Sequence, residues 1–370
     1  MYTRLILLAI CPVMICGILY SCGENQSSRE ATNVAQSLSG EDTEGFKRAN
    51  ELREFKFPKD FGPHPEFQTE WWYYTGNLSS KDGRDFGYQL TFFRRALSPD
   101  EIERESNWGT NQIYFAHFAL ADINSGKFYS SERWSRGAAG LAGSQSDPFR
   151  AWIDNWSISG DEKKIELKAI DGTVSIELNL ESMKPIVLQG DKGLSQKSSE
   201  VGNASYYFSQ TRINSSGTIV VDGQKFEVTG LSWLDREWST SALGENQEGW
   251  DWFSIQLDDR REIMLYQLRL KNGGIDPFSS GSFIEKDGTV KHLNADDFEI
   301  VVLDTWKSPE TGILYPSKWK VTIPEQDIEL TVTPLLNNQE LLLSFNYWEG
   351  AVKVSGDGIS GKGYVELTGY

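Results

Sequence analysis

The aromatic stretch Trp71–Leu78, which reads WWYYTGNL, aligns without gaps on Trp250–Leu257, which reads WDWFSIQL. After a turn the match resumes at Tyr88–Leu90 and Tyr266–Leu268, which both read YQL, with turns that differ in length by one residue. Each copy has the pattern of a strand, a polar turn and a second strand. The repeat predicts two successive units, each opening a barrel of its own, with the second unit starting near residue 245.

Alternating apolar and polar residues, separated by short turns, continue from Phe55 to the last residue. Lys164–Ile170 (KIELKAI) and Thr173–Leu180 (TVSIELNL) both repeat with a period of two, and Asp171-Gly172 between them is a hairpin signal. These features predict an all-β body built from antiparallel meanders.

The N terminus has the layout of a signal peptide over residues 1–21, with a basic start at Met1–Arg4 and an apolar run to Tyr20. The run ends in Leu19-Tyr20-Ser21-Cys22, which resembles a bacterial lipobox, so we expect lipidation at Cys22 and a membrane anchor there. The alternative is an uncleaved anchor helix with a chance cysteine. Gly23, by resemblance to enterobacterial lipoproteins, favours the outer membrane, and we expect the protein to face the periplasm.

Residues 22–50 form a polar segment, rich in Ser, Glu and Asn after the lipidated cysteine, which predicts a flexible tether. Such a coil spans on the order of 30 Å. The predicted organisation is therefore signal peptide, tether, a first barrel over residues 51–244 and a second over 245–370.

Cysteine usage and charge restrict the chemistry of the body. All three cysteines, Cys11, Cys16 and Cys22, lie in the targeting segment, which leaves no disulfide or thiolate metal ligand for the rest. Removing residues 1–21 takes away one of the 36 basic residues, so that 35 face 53 acidic ones and the net charge is −18. We expect such a chain to repel nucleic acid, and no nucleic-acid partner is predicted.

Several motifs together resemble the secreted lipocalin-like family that includes hydroxyneurosporene synthase, the carotenoid 1,2-hydratase, also described as AttH-like proteins and predicted secreted hydrolases. The motifs that carry the resemblance are Glu70–Leu78, Phe92–Ala96, Ala116–Asp122, Gly230–Trp238, Gly249–Leu257, Tyr347–Val352 and Gly363–Tyr370. The resemblance implies two tandem lipocalin-like antiparallel β-barrels. It also implies handling of long apolar molecules such as isoprenoids, by acid and base chemistry without a cofactor.

One motif departs from the hydratases. They look like Asp-His-Asn-Trp where this chain has Asp235-Arg236-Glu237-Trp238, so we expect no carotenoid hydratase activity.

The same segment contains the candidate acid. Strand alternation places Trp233, Asp235 and Glu237 on one face, a carboxyl pair beside an indole. A carboxyl kept protonated by apolar neighbours protonates an alkene, and aromatic faces stabilise the resulting cation. Asp235 and Glu237 are therefore catalytic candidates. The alternative is a structural ion pair with Arg236 or another basic residue.

His117 is the third catalytic candidate, because it lies between Phe115-Ala116 and Phe118-Ala119 in a predicted buried strand. A buried neutral imidazole acts as a general base or as a hydrogen-bonded core residue, and the sequence leaves both open.

The predicted ligand site combines aromatic rings with a few polar groups, as in mostly apolar pockets. Its candidate residues are Glu70, Trp71, Trp72, Tyr74, Arg94, Trp233, Trp238, Trp250, Trp252, Tyr266, Trp348 and Glu349. The alternative is that the polar members bridge the two barrels or hold strand ends.

The chain has only three histidines, far apart in sequence, and neither a Gly-x-Ser-x-Gly elbow nor a phosphate or dinucleotide motif. We therefore predict no metal and no cofactor, and we do not expect serine hydrolysis. The functional hypothesis is a secreted lipoprotein that binds, and hydrates or isomerises, a long apolar isoprenoid-like or lipid-like molecule. The alternatives are carotenoid 1,2-hydratase proper and a carbohydrate-binding or glycoside-processing protein, since 13 Trp residues also suit a sugar site.

Overall fold

The computed structural model describes residues 43–100, 106–241 and 243–370. The predicted signal peptide, the expected lipidation site at Cys22 and most of the predicted tether lie outside the described residues. Among the helices of the described part, none combines the length and apolar character needed to cross a membrane.

The first sheet has 13 antiparallel strands and runs through the N-terminal half. Its strands are β1 Thr69–Ser80, β2 Asp85–Ala96, β3 Gln112–Asp122, β4 Lys127–Arg136, β5 Ala142–Ser146, β6 Phe149–Ile153, β7 Trp156–Gly160, β8 Lys164–Asp171, β9 Val174–Ser182, β10 Val187–Leu188, β11 Leu194–Gln196, β12 Ala204–Val221 and β13 Gln224–Ser239.

The second sheet has 10 antiparallel strands and completes the chain. Its strands are β14 Gln247–Leu257, β15 Glu262–Leu270, β16 Ser280–Ile284, β17 Val290–Asn294, β18 Glu299–Lys307, β19 Leu314–Ile323, β20 Ile328–Pro334, β21 Glu340–Leu342, β22 Asn346–Gly356 and β23 Ile359–Leu367. Three single-turn 3₁₀ helices at Lys59–Phe61, Ala295–Asp297 and Pro324–Gln326 are the only helices in the described ranges.

The two sheets share one strand order. The first runs β4-β3-β2-β1-β13-β12-β9-β8-β7-β6-β5, and the second runs β17-β16-β15-β14-β23-β22-β20-β19-β18. In each sheet the two end strands are consecutive in sequence, as in an up-and-down barrel opened at one seam. The all-β, lipocalin-like prediction is confirmed, with one nearly closed barrel followed by a half-barrel.

Side chains bridge the seam of the first barrel. Arg133 on β4 donates to the carbonyl of Ile170 at 3.0 Å, and Ser131 donates to Asp171 at 2.6 Å, so β4 reaches the end of β8. These side-chain contacts hold β4 against β8, with which it forms no strand ladder.

The repeat marks equivalent strands, because β1 and β14 each pair with the second and the last strand of their own sheet. The second half of the alignment is wrong, however. Trp71 pairs with Phe93, 22 residues later, whereas Trp250 pairs with Leu268, 18 residues later. The second hairpin is thus four residues shorter, not one, and the two YQL copies face different cores.

Strand β1 is buried on both faces, which explains its unbroken aromatic run. Trp72 and Tyr74 point into the first barrel, and Tyr73 points between the two sheets. By contrast β9 alternates buried and exposed residues, as a strand with one solvent face does.

The two sheets touch through backbone and small side chains as well as aromatic rings. The Asn77 side chain donates to the Gly363 carbonyl at 2.9 Å, and Gln256 donates to the Ser232 carbonyl at 2.9 Å. Gly87 on β2 lies so close to Ala351 on β22 that an added Cβ would come within 2.4 Å of the alanine Cβ. The two sheets are thus in direct contact at this point.

Candidate functional site

A cavity lies between the facing surfaces of the two sheets. The space open to the centre of a water molecule is about 90 Å³, enough for several waters or for one segment of a larger ligand. Aromatic and carboxyl side chains dominate its wall. The lining residues are Trp71, Tyr73, Phe93, Lys197, Tyr207, Asp235, Glu237, Ser239, Ser241, Trp250, Trp252, Tyr266, Leu268, Tyr347, Glu349 and Glu366.

Asp235 is placed on this wall by the alternation of β13, which sends Leu234 and Trp238 into the first barrel and Asp235 and Glu237 between the sheets. The Asp235 carboxyl accepts hydrogen bonds from Ser209 at 2.5 Å, Tyr207 at 2.5 Å and Trp233 at 2.7 Å.

Burial raises the pKa of Asp235 to about 7, against the opposing effect of these three donors. The Glu237 charge adds to the rise. Near neutral pH this carboxyl is therefore a proton donor and a proton acceptor in comparable measure.

Glu237 is ion-paired. The ammonium of Lys197 lies 3.2 Å from its carboxylate, and the Ser205 hydroxyl donates to the same oxygen. Burial acts to lower the pKa of Lys197, but the Glu237 carboxylate and the neighbouring Tyr266 and Asp235 outweigh it and hold the pKa above its ordinary value. A charged pair thus occupies one part of the wall, and its cation is Lys197 rather than Arg236.

Glu349 and Glu366 form a second carboxyl pair, directly opposite each other on β22 and β23. Trp250 donates to Glu366 at 3.1 Å, whereas both oxygens of Glu349 are buried without a hydrogen bond. Burial raises the pKa of Glu366 to about 8, and burial and the Glu366 charge raise that of Glu349 well above its usual range. The hydroxyl of the neighbouring Tyr73 acts to lower the pKa of Glu349, but burial and the Glu366 charge outweigh it.

His117 lies behind the cavity wall. Its Nδ1 is 2.7 Å from the hydroxyl of Tyr347, which does line the cavity. Burial lowers the pKa of His117 to about 4, despite the nearby Glu132. The imidazole is neutral at physiological pH and contacts two residues of the cavity wall, Tyr347 and Phe93.

Six of the predicted ligand residues point elsewhere. Glu70, Arg94, Trp72, Tyr74 and Trp238 lie inside the first barrel, and Trp348 lies in the core of the second. Each of the six is the immediate neighbour of a cavity residue on its own strand. Because side chains alternate along a strand, it points to the opposite face of the sheet. The structure therefore brings together Trp71, Trp250, Trp252, Tyr266, Asp235, Glu237 and Glu349, with Trp233 bound to Asp235.

The Glu70 carboxylate is instead the centre of a buried ionic cluster. It accepts hydrogen bonds from both Arg94 and Arg236, and from the backbone N–H of His64 at 3.1 Å. Burial acts to raise the pKa of Glu70, but the two arginines outweigh it and hold the pKa well below the ordinary value. Arg236 thus points away from Asp235 but does not reach solvent.

Several cavity residues were not predicted. Tyr347 and Tyr73 follow from alternation, because each lies two residues from a predicted residue on the same strand. Glu366 follows only from the pairing of β23 with β22, and Lys197 comes from a loop after β11 that carries no recognisable pattern. In the described part of the chain, no group of three or more His, Cys, Asp or Glu side chains is arranged to hold a metal ion.

Two solved structures share this architecture. A crystal structure assigned to AttH from Nitrosomonas europaea is 34% identical, with a TM-score of 0.80 over 88% of this chain and 100% of that one. Kievitone hydratase from Nectria haematococca is 14% identical, with a TM-score of 0.65 over 88% of this chain and 98% of that one. At that identity the likeness to the hydratase shows the fold alone. None of the curated proteins compared matches the sequence.

The sequence also matches the AttH-like family model over residues 48–370, which covers both sheets and the whole cavity. The resemblance inferred from the motifs is thereby confirmed, and this chain belongs to the AttH-like family.

Proposed function

We propose that the inter-sheet cavity binds an unsaturated apolar molecule and moves a proton to or from it, in a hydration, dehydration or isomerisation. The observation that carries this proposal is that Asp235, Glu349 and Glu366, all with raised pKa values, line one aromatic cavity. Buried carboxylic acids of this kind retain a transferable proton at neutral pH.

The carboxyl and aromatic side chains of the cavity wall supply the groups that such a proton transfer needs. A carboxyl group adds its proton to one alkene carbon, and positive charge develops on the other. The faces of Trp71, Trp250 and Trp252 and a neighbouring carboxylate stabilise that charge. A water molecule then adds to the cation and returns a proton to the carboxylate, which restores the acid.

Asp235 is the preferred acid in this scheme. Its pKa of about 7 is closest to neutral pH, where an acid both gives and regains a proton efficiently. The Lys197–Glu237 ion pair lies on the same cavity wall. His117 is not required to touch the substrate, and it positions Tyr347 instead.

The fold supports hydration as the first reaction to test, because kievitone hydratase, whose name states that reaction, shares it. A carotenoid is a less favoured substrate for this reaction. The volume of about 90 Å³ holds one segment of a polyene, and the rest of a long molecule would have to leave through the open side.

We further propose that the body is attached to the outer membrane through a lipid on Cys22 and faces the periplasm. The lipobox-like sequence Leu19–Cys22 and the polar segment that follows it support this location. A lipid-anchored protein would meet isoprenoid and lipid molecules at the membrane surface.

Binding is tested by tryptophan fluorescence. Micromolar retinoid or polyene should quench the emission, because three tryptophans line the cavity, and oligosaccharides should leave it unchanged. Trp250→Phe should reduce the quenching, whereas the control Trp108→Phe, at a side chain 61% exposed, should not. Quenching by oligosaccharides alone would move the assignment to carbohydrate binding.

Turnover is tested with polyene ligands in water enriched in heavy oxygen. Hydration should place the label in the product, and Asp235→Asn should abolish the incorporation while leaving binding within about twofold. Incorporation at an unchanged rate in Asp235→Asn would refute Asp235 as the acid. Binding without any reaction in the wild type would make the protein a carrier.

A further inference from the structure

The Glu349–Glu366 pair lacks a counter-ion. Glu349 is fully buried, lines the cavity, and has no hydrogen bond to either carboxylate oxygen. Glu366, opposite it, has one donor, the indole N–H of Trp250. Two adjacent carboxyls with a single neutral donor are costly to ionise, and a folded protein rarely leaves such a group unpartnered without a use for it.

The cation that lines the cavity among the described residues is already engaged. Lys197 pairs with Glu237 at 3.2 Å and sits 4.2 Å from the centre of the Tyr266 ring. The other charged or titratable groups on the wall are acidic or phenolic, namely Asp235, Tyr73 and Tyr207 from the first sheet and Tyr266 and Tyr347 from the second. The cavity therefore offers acidic groups without a paired cation, and a positively charged ligand would complement them.

Aromatic rings surround the same space. Trp71, Tyr73, Trp250 and Trp252 all line it, and the rings of Tyr73 and Trp252 meet edge to face with centres 5.2 Å apart. Aromatic rings arranged around a carboxylate are suited to an organic ammonium group, because the ring faces attract cations and the carboxylate supplies a negative charge.

We propose that the inter-sheet cavity is selective for a ligand that carries one positive charge on carbon-substituted nitrogen, a tertiary or quaternary ammonium, with Glu349 and Glu366 as its counter-ions. This inference rests on the proposed function, which places the ligand in the inter-sheet cavity. It adds that the cavity prefers a positively charged ligand. The same features stabilise a transient carbocation, so an ammonium ligand occupies the cavity as a stable mimic of that charge.

Proton release accompanies binding in this proposal. Burial keeps Glu366, with its pKa of about 8, and Glu349 largely protonated at neutral pH. A bound cation favours the charged form, so a proton leaves to the solvent as the ligand enters. A neutral ligand of the same shape releases none.

The experiment compares two molecules of equal shape on the full-length chain. Benzyltrimethylammonium and neopentylbenzene differ only in that a charged nitrogen replaces a carbon. We expect the cation to bind at least about tenfold more tightly, and its binding to release a proton, measured by titration calorimetry in buffers of different ionisation enthalpy. Glu349→Gln/Glu366→Gln should reduce the preference to about twofold.

A matched surface variant controls for the acidity of the whole protein. Glu325→Gln/Glu329→Gln removes two exposed carboxyls and should leave the preference intact. Equal binding of the two molecules, or no binding of the cation, would overturn the proposal, and polyene quenching would still report on the proposed function separately. A preference that survives the cavity double variant would also overturn it. Should that variant not fold, the preference and the proton release of the wild type decide the question.

Discussion

The imidazole of His117 on β3 is hydrogen-bonded to the hydroxyl of Tyr347 on β22, with 2.7 Å between Nδ1 and the oxygen. The bond crosses from one sheet to the other and fixes a phenol that lines the cavity. Since the pKa of His117 is lowered to about 4, the bond does not depend on a charged histidine at neutral pH.

Tyr347→Phe removes one partner of that bond and leaves a buried ring nitrogen unsatisfied. We expect a loss of about 1–3 kcal/mol in the free energy of unfolding, measured by urea denaturation. Tyr364→Phe is the matched control, because the Tyr364 hydroxyl is equally buried but makes no hydrogen bond, and its removal should cost less than about 0.5 kcal/mol. Equal losses in the two variants would contradict a specific His117–Tyr347 contribution.

The raised pKa values of the cavity carboxyls predict how stability depends on pH. Glu366 has a folded pKa of about 8 against an ordinary 4.5, so the folded state holds a proton that the unfolded state releases between these values. Stability should therefore fall as pH rises, by about 1.4 kcal/mol per pH unit for each such group. Two lowered pKa values act in the opposite sense. That of Glu70 does so only below its ordinary value of 4.5, and that of His117 does so between about 4 and its ordinary 6.5.

Glu349→Gln/Glu366→Gln should flatten this slope, because the amides remain neutral at all pH values. The measurement is urea unfolding at about pH 5 and about pH 8 for the wild type, the double variant and the exposed control Glu325→Gln. Equal slopes in the wild type and the double variant would show that the pair is ionised in the folded state.

Arg236→His should destabilise the protein rather than bring it closer to a carotenoid hydratase. The arginine is fully buried, donates to Glu70 and to the Gly62 carbonyl, and stacks over Trp72 at 4.2 Å. Removing one partner from a buried ionic cluster costs about 3–5 kcal/mol. Arg136→His, at an exposed site, should change stability by less than about 0.5 kcal/mol. A loss below about 1 kcal/mol at Arg236 would be incompatible with the cluster described.

Gly87→Ala should loosen the contact between the sheets. The new Cβ would lie 2.4 Å from the Ala351 Cβ, so the strands must separate. We expect a cost of about 1–3 kcal/mol and weaker polyene quenching. Ala351→Gly in the same chain removes the clashing methyl and should restore most of both losses. Without such rescue, the losses would not come from the Gly87–Ala351 contact.

Cys22→Ser tests the membrane anchor. The variant should leave the membrane fraction and lose labelling by a clickable fatty acid, because the thiol is the site of lipid attachment in a lipobox. Cys16→Ser is the matched control and should keep both. Retention of membrane association and label by Cys22→Ser would refute the lipoprotein assignment.

The sequence by itself determined the class of fold and which side chains of a strand share a face. A period of two residues is a local property of a strand, so the alternation in β13 was enough to place Asp235 and Glu237 together on one face. The aromatic repeat likewise identified the strands that open the two sheets. Periodicity does not say which face is which, and for that reason Trp72, Tyr74 and Trp238 were expected in a site that lies behind them.

Only the tertiary structure decided what those faces meet. Glu366 stands opposite Glu349 because β23 pairs with β22, and both approach Asp235 because one sheet packs on the other. Glu70 meets two arginines from other strands inside the first barrel, and Lys197 enters the cavity from a loop. These juxtapositions depend on strand register, hairpin length and sheet packing, which join residues distant in the chain and leave no local pattern in the sequence.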